Sequence, residues 1–185
     1  VLYNLRLKAS ANITIPYNLT YIPDGAFSGC SKLTSINIHD NVTNIRDSAF
    51  EGCSGLTSIN LPDKLTRIAN NLFKNCINLT NIIIPDGVDT IGGSAFSYCK
   101  SLTSINIPDG VHTIGNNAFT GSSGLTNITM PNSVTLLGLA AFSGCSGLTN
   151  ITISDSVTSI GSYAFEGCSS LTSINIPDNV TYIGH

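Results

Sequence analysis

The chain has 185 residues, only 10% of them charged, with a net charge of −3, while Ser, Thr and Asn together supply 62. Such a balance excludes the basic face that nucleic-acid partners need, and a hydrophobic fraction of 42% excludes disorder. The longest apolar run, Leu136 to Phe142, has seven residues, far short of a membrane-spanning helix, so membrane insertion is not expected.

From the N-terminus, Val1 to Lys8 (V-L-Y-N-L-R-L-K) is out of phase with the rest of the chain and reads as an edge strand or remnant cap. No long apolar stretch of a signal peptide occurs in Val1 to Ser10. From about residue 10 one unit of 23 residues repeats: Phe stands at 27, 50, 73, 96, 119, 142 and 165, and Leu at 33, 56, 79, 102, 125, 148 and 171. Cys fills 30, 53, 76, 99, 145 and 168, with Ser122 in the one remaining slot. Fixed spacing of this kind is the mark of a solenoid. The expected division is therefore 1–9 as a partial segment or cap, and 10–185 as one domain of about seven and a half repeats, truncated at its C-terminal end.

Within a unit, Leu33, Ile36 and Ile38 form L-x-x-I-x-I, whose end alternates as a strand does. Pro comes next in most copies (Pro16, Pro62, Pro85, Pro108, Pro131, Pro177) and removes a ladder donor. The next Asp favours a turn closed by its own side chain. V-T-x-I, as in Val111 to Ile114, predicts a second short strand. Gly92, Gly115, Gly138, Gly161 and Gly184 are expected where φ is positive. Asp, Ser or Asn before Ala-Phe, as in Asp47-Ser48-Ala49-Phe50, predicts a capped helical or 3₁₀ turn closed by Gly52 and its equivalents. About eight inward side chains per unit gain roughly 10–20 kcal/mol of burial, less than the backbone entropy of ordering 23 residues. The unit must therefore stack, and eight strands about 4.8 Å apart would build a sheet roughly 34 Å long.

No motif carries catalysis. The Cys column reads as reduced core thiols, since Cys is among the most buried residues, and neither C-x-x-C nor H-x₃-H spacing for zinc occurs. The Asp column (40, 63, 86, 109, 155, 178) offers one carboxylate per coil, too few oxygens for calcium. Asp89 and His112 share a repeat position and are expected to touch on the surface. Seven N-x-T sequons, at Asn12, Asn18, Asn41, Asn78, Asn127, Asn150 and Asn179, arise from Thr being fixed at two positions of the unit. No metal, cofactor or enzymatic activity is expected.

L-T-S-I-N-I-P-D-G-V-H-T-I-G-N-N-A-F (102–119) and G-C-S-S-L-T-S-I-N-I-P (167–177) resemble the 23-residue leucine-rich repeats of the BspA-like, or Treponema pallidum, type. Departures are His39 and Ser154 for Pro, Leu72 for Ala and Ser122 for Cys. The resemblance implies a right-handed leucine-rich-repeat superhelix, mostly β, with a parallel sheet on its concave face and short strands plus helical or 3₁₀ turns on the convex side. It also implies a cell-surface or secreted protein of gut or oral bacteria or parasitic protists, acting in adhesion or in binding a host extracellular protein.

On that reading the concave face displays Ser35, Asn37, Asn60, Ile83, Asn106, Thr129, Thr152 and Asn175, beside the column of Thr34, Thr57 and their equivalents. A flat polar ladder of this kind suits a glycan or a long protein partner. A second candidate is an apolar lateral patch of Leu136, Leu139, Tyr163 and Tyr182, fit for a protein partner or self-association. All eight Lys and Arg precede residue 101, where seven acids leave +1; residues 101–185 carry four acids and neither Lys nor Arg, hence −4. Three roles are open: a non-enzymatic adhesion module, a structural spacer presenting another domain, or a carbohydrate binder.

Overall fold

The structure, a computed structural model, describes residues 12–185; the proposed 1–9 segment lies outside them. Each 23-residue unit makes one coil of a solenoid, and each coil pairs in parallel with the coil 23 residues on. The first strand of each unit gives β1 (Asn12–Thr14), β3 (Ser35–Asn37), β5 (Ser58–Ile59), β7 (Asn81–Ile82), β10 (Asn127–Thr129) and β12 (Asn150–Thr152). The second gives β2 (Tyr21–Ile22), β4 (Asn44–Ile45), β6 (Arg67–Ile68), β8 (Thr90–Ile91), β9 (Thr113–Ile114), β11 (Leu136–Leu137), β13 (Ser159–Ile160) and β14 (Tyr182–Ile183).

The two sets differ in continuity. The first is paired only as β1–β3, β5–β7 and β10–β12, plus a single bridge between Ser104 and Asn127. The expected unbroken sheet along this column is therefore absent. Two of the ladders run one bond beyond the strand, Ile15 N–H to Asn37 O (3.0 Å) and Met130 N–H to Thr152 O (3.1 Å), and there proline, the next residue, ends them by lacking a donor. The corresponding bond is not made by Ile38, Leu61, Ile84, Ile107 or Ile153. The second set, only two residues per strand, forms a six-stranded sheet from β6 to β14 beside a separate β2–β4 pair.

The core runs the length of the solenoid as columns. Leu33, Ile36, Ile38, Val42, Ile45, Ala49, Phe50 and Cys53, the eight inward residues of one unit, are all buried. The Phe rings stack face to face from Phe27 to Phe165, with centroids 5.2–5.8 Å apart. Burying both sides of each coil is how a unit too small to fold alone becomes stable.

The turn around Phe contains no helix among the described residues, correcting the expected helical or 3₁₀ turn. Its donors alternate. Ala49, Glu51 and Cys53 N–H bond three residues back, whereas Ser48, Phe50 and Gly52 N–H donate to Asn70, Leu72 and Lys74 O of the next coil. A 3₁₀ helix needs consecutive local bonds, and every second donor here is spent between coils. The alternation places positive φ two residues before and two after each Phe, as at Ser48 (58°) and Gly52 (70°).

The glycine column 92–184 has a different basis from the one expected. None of these glycines has positive φ. Instead, Gly92, Gly115, Gly138, Gly161 and Gly184 pass directly over the preceding coil, and their N–H groups donate to its Ile or Leu carbonyls at 2.8–2.9 Å. A Cβ on Gly138 would lie 2.5 Å from Asn116 N. After Pro, the turn is closed by main chain, as in Val111 N–H to Pro108 O (3.0 Å); the adjoining Asp side chains take no part.

Candidate interaction surface

The interior polar chemistry is structural. The thiols of Cys53, Cys76, Cys99, Cys145 and Cys168 donate to the Phe carbonyl 26 residues back, at 3.1–3.2 Å. Ser122 does the same to Phe96 O at 2.7 Å, which explains why it stands in the Cys column without loss. All six thiols are buried and none is bridged. Burial pushes the Cys99 and Cys145 thiols up to about 12. It also raises Cys76, with the neighbouring Cys99 and Cys53 thiols adding to the effect. Thiols so protonated are poor nucleophiles at neutral pH.

Surface side chains likewise serve the stack. Asp47 Oδ1 accepts from Asn70 N, Asn70 Oδ1 from Gly93 N, and Asn116 Oδ1 from Leu139 N, each tying a coil to the next. The residues that read as helix caps thus cap neighbouring coils. His112 and Asp89 meet only through main chain, His112 N–H to Asp89 O at 2.8 Å, while the imidazole Nδ1 sits 3.2 Å from Ser133 O. Among the described residues the ion pair is Lys74–Glu51, at 3.3 Å. No group of three or more His, Cys, Asp or Glu there is placed to hold a metal ion.

Two faces remain. On the first, Asn37, Asn60, Ile83, Asn106, Thr129, Thr152 and Asn175 form one exposed column, with Ser35 half-buried beside it. Thr80, Thr126 and Thr149 turn their hydroxyls back onto the Thr carbonyl of the preceding coil. By contrast, the polar side chains of the Asn37–Asn175 column make no hydrogen bond within the described chain. Where the ladder parts, Ser104, Asn106, Asn127 and Thr129 line a cleft of about 260 Å³ above the largely buried Ile105 and Ile128.

On the second, the register places Leu136 two coils from Tyr182 in one column, with Leu139 and Tyr163 in the adjoining turn. All four are 40–57% exposed. Sequence reasoning missed Ile183, exposed beside Tyr182, and Tyr98, whose ring lies over Gly121. Tyr98 occupies a column held by Gly in five other coils, and that departure was the available signal.

Known proteins share both the repeat and the coil geometry. A family model described as a BspA type leucine-rich repeat region, in six copies, matches residues 5–124 and 89–185. A leucine-rich repeat protein from Bacteroides ovatus is 34% identical over 94% of this chain, with a TM-score of 0.90. The chain spans 48% of that protein's length. The T. pallidum leucine-rich repeat protein is 25% identical over 95% of this chain and 74% of its own, with a TM-score of 0.67. The pneumococcal vaccine antigen PcpA shares the fold at 20% identity and a TM-score of 0.51, over 94% of this chain and 62% of its own. No curated protein sequence matches the chain.

Proposed function

Because the chain belongs to the BspA-type leucine-rich repeat family, we propose that it is a non-enzymatic protein-binding module of a cell-surface or secreted protein, serving adhesion. Proteins of this family and fold are generally interaction scaffolds rather than enzymes, and the interior thiols and the Asp and Asn side chains between coils are committed to stacking. The observation that carries the reading is the grouping of Leu136, Leu139, Tyr163 and Tyr182 on one flank, all substantially exposed. Exposed apolar side chains gathered on one flank mark an interaction site more often than scattered ones do, and Tyr is among the side chains that dominate binding energy. The partner is a protein, an extracellular host protein or a second copy of the chain.

The test is the double substitution Leu136→Asn and Leu139→Asn. Sedimentation compares its self-association with the parent, and cell-binding assays compare adhesion. Loss of either by tenfold or more supports the reading. Unchanged behaviour in both, with substitutions tolerated on every face, would favour a spacer that presents another domain.

A further inference from the structure

The cleft on the first face, remote from the apolar flank, combines features that a protein interface does not need. It is lined by Ser104, Asn106, Asn127 and Thr129 above the largely buried Ile105 and Ile128, and it lies where the strands part after the Ser104–Asn127 bridge. Asn106 and Thr129 are exposed and make no side-chain hydrogen bond within the described chain, so their donors and acceptors are available to a ligand. A cleft rimmed by amides and hydroxyls offers donors and acceptors to the hydroxyls at the edge of a sugar ring.

The column continues the same chemistry to either side, through Asn60 and exposed Ile83 in one direction and Thr152 and Asn175 in the other. Parallel strands advance about 4.8 Å per coil, and the Phe stack beneath advances 5.2–5.8 Å. That step is close to the length of one pyranose in an extended β-1,4-linked chain, in which neighbouring rings are turned over, so one sugar falls on each coil and every second coil meets the same ring edge. An extended peptide, at about 3.3 Å per residue, falls out of phase. Residues 101–185 contain no Lys or Arg and carry −4, which repels sulfated or uronic glycans.

We propose that this face binds a neutral, extended β-1,4-linked glycan, one sugar per coil, anchored in the cleft between Asn106 and Thr129. No aromatic side chain stands in the column, so each sugar contributes weakly and affinity comes from repetition along the coils.

The experiment titrates the chain with cellohexaose, mannohexaose and xylohexaose, their disaccharides, and heparin. Binding to at least one hexasaccharide is expected, at least tenfold stronger than to its disaccharide and stronger than to heparin. Asn106→Ala with Thr129→Val, surface changes that keep strand-compatible shapes, should weaken it at least tenfold, with thermal unfolding of the variant confirming the fold. Leu136→Asn with Leu139→Asn should leave it unchanged, which separates this site from the protein-binding flank. Absence of binding to all three hexasaccharides at millimolar concentration, equal binding by the Asn106/Thr129 variant, or preference for heparin would overturn the proposal.

Discussion

The two strand ladders are built from the same 23-residue unit yet end differently. The strand after Leu is framed by the stronger apolar pattern, L-x-x-I-x-I, but it pairs only in twos and opens at Asn106 and Thr129. The strand in V-T-x-I is two residues long and runs unbroken through six coils. Both bury their Ile and Val equally well, so burial does not set continuity. What differs is the bond just beyond each strand. In the first ladder most coils make none, and where one is made proline follows it and removes the next donor; in the second, the residue after the strand reaches the preceding coil's carbonyl, five glycines at 2.8–2.9 Å and Arg46 at 3.0 Å. The ladder that breaks leaves polar groups and a cleft available to a ligand; the ladder that holds carries the stack.

The largest effect should come from breaking the continuous ladder. Gly138→Ala puts a methyl 2.5 Å from backbone that cannot yield, and urea unfolding should show a loss of about 3 kcal/mol. The second step tests the turn between the ladders. Cys145→Ala leaves Phe119 O with only the Ser122 N–H donor (3.1 Å) and should cost about 0.5–1.5 kcal/mol, whereas Cys145→Ser, which repeats the arrangement at Ser122, should cost clearly less. If Ala and Ser cost the same, the thiol hydrogen bond contributes nothing.

Alkaline titration gives a third test. The buried thiols of Cys99 and Cys145 are pushed from 9.0 up to about 12. Above pH 9 the unfolded chain releases these protons while the folded chain holds them, so stability present below pH 9 falls as pH rises towards 12. Cys145→Ser should flatten that fall in denaturant midpoints measured from pH 8 to 11. The smallest effect concerns the one break in the second ladder, between β4 and β6, where Ala69 stands in the glycine column. Ala69→Gly should let β4 and β6 pair, raising amide protection at Thr66 and residue 69 about tenfold. Overall stability should shift by less than about 1 kcal/mol, because glycine's backbone entropy offsets the added bonds.

The repeat made most of this legible. Phe, Leu and Ile recur at a fixed step, and stacking accounts for their burial. Less visible was anything decided by the neighbouring coil. Ser48, Ala140 and Tyr163 have positive φ without being Gly, because inter-coil bonds impose it, while Gly92 and its equivalents are Gly to permit close approach. The role of Cys depends on a carbonyl 26 residues away, and no local pattern announces it. On the surface, the Asn37–Asn175 column and the Leu136–Tyr182 flank could be read from phase, but the cleft could not, since no residue of the repeat marks the coil at which the strands part.

Amide hydrogen exchange tests the contrast between the ladders most directly. Gly115, Gly138 and Gly161, and Met130 in the first column, should exchange at least a hundredfold more slowly than Ile107, which occupies Met130's place in the preceding coil without its bond. Equal protection at Ile107 and Met130 would mean that the first ladder is continuous after all, and that the cleft does not exist.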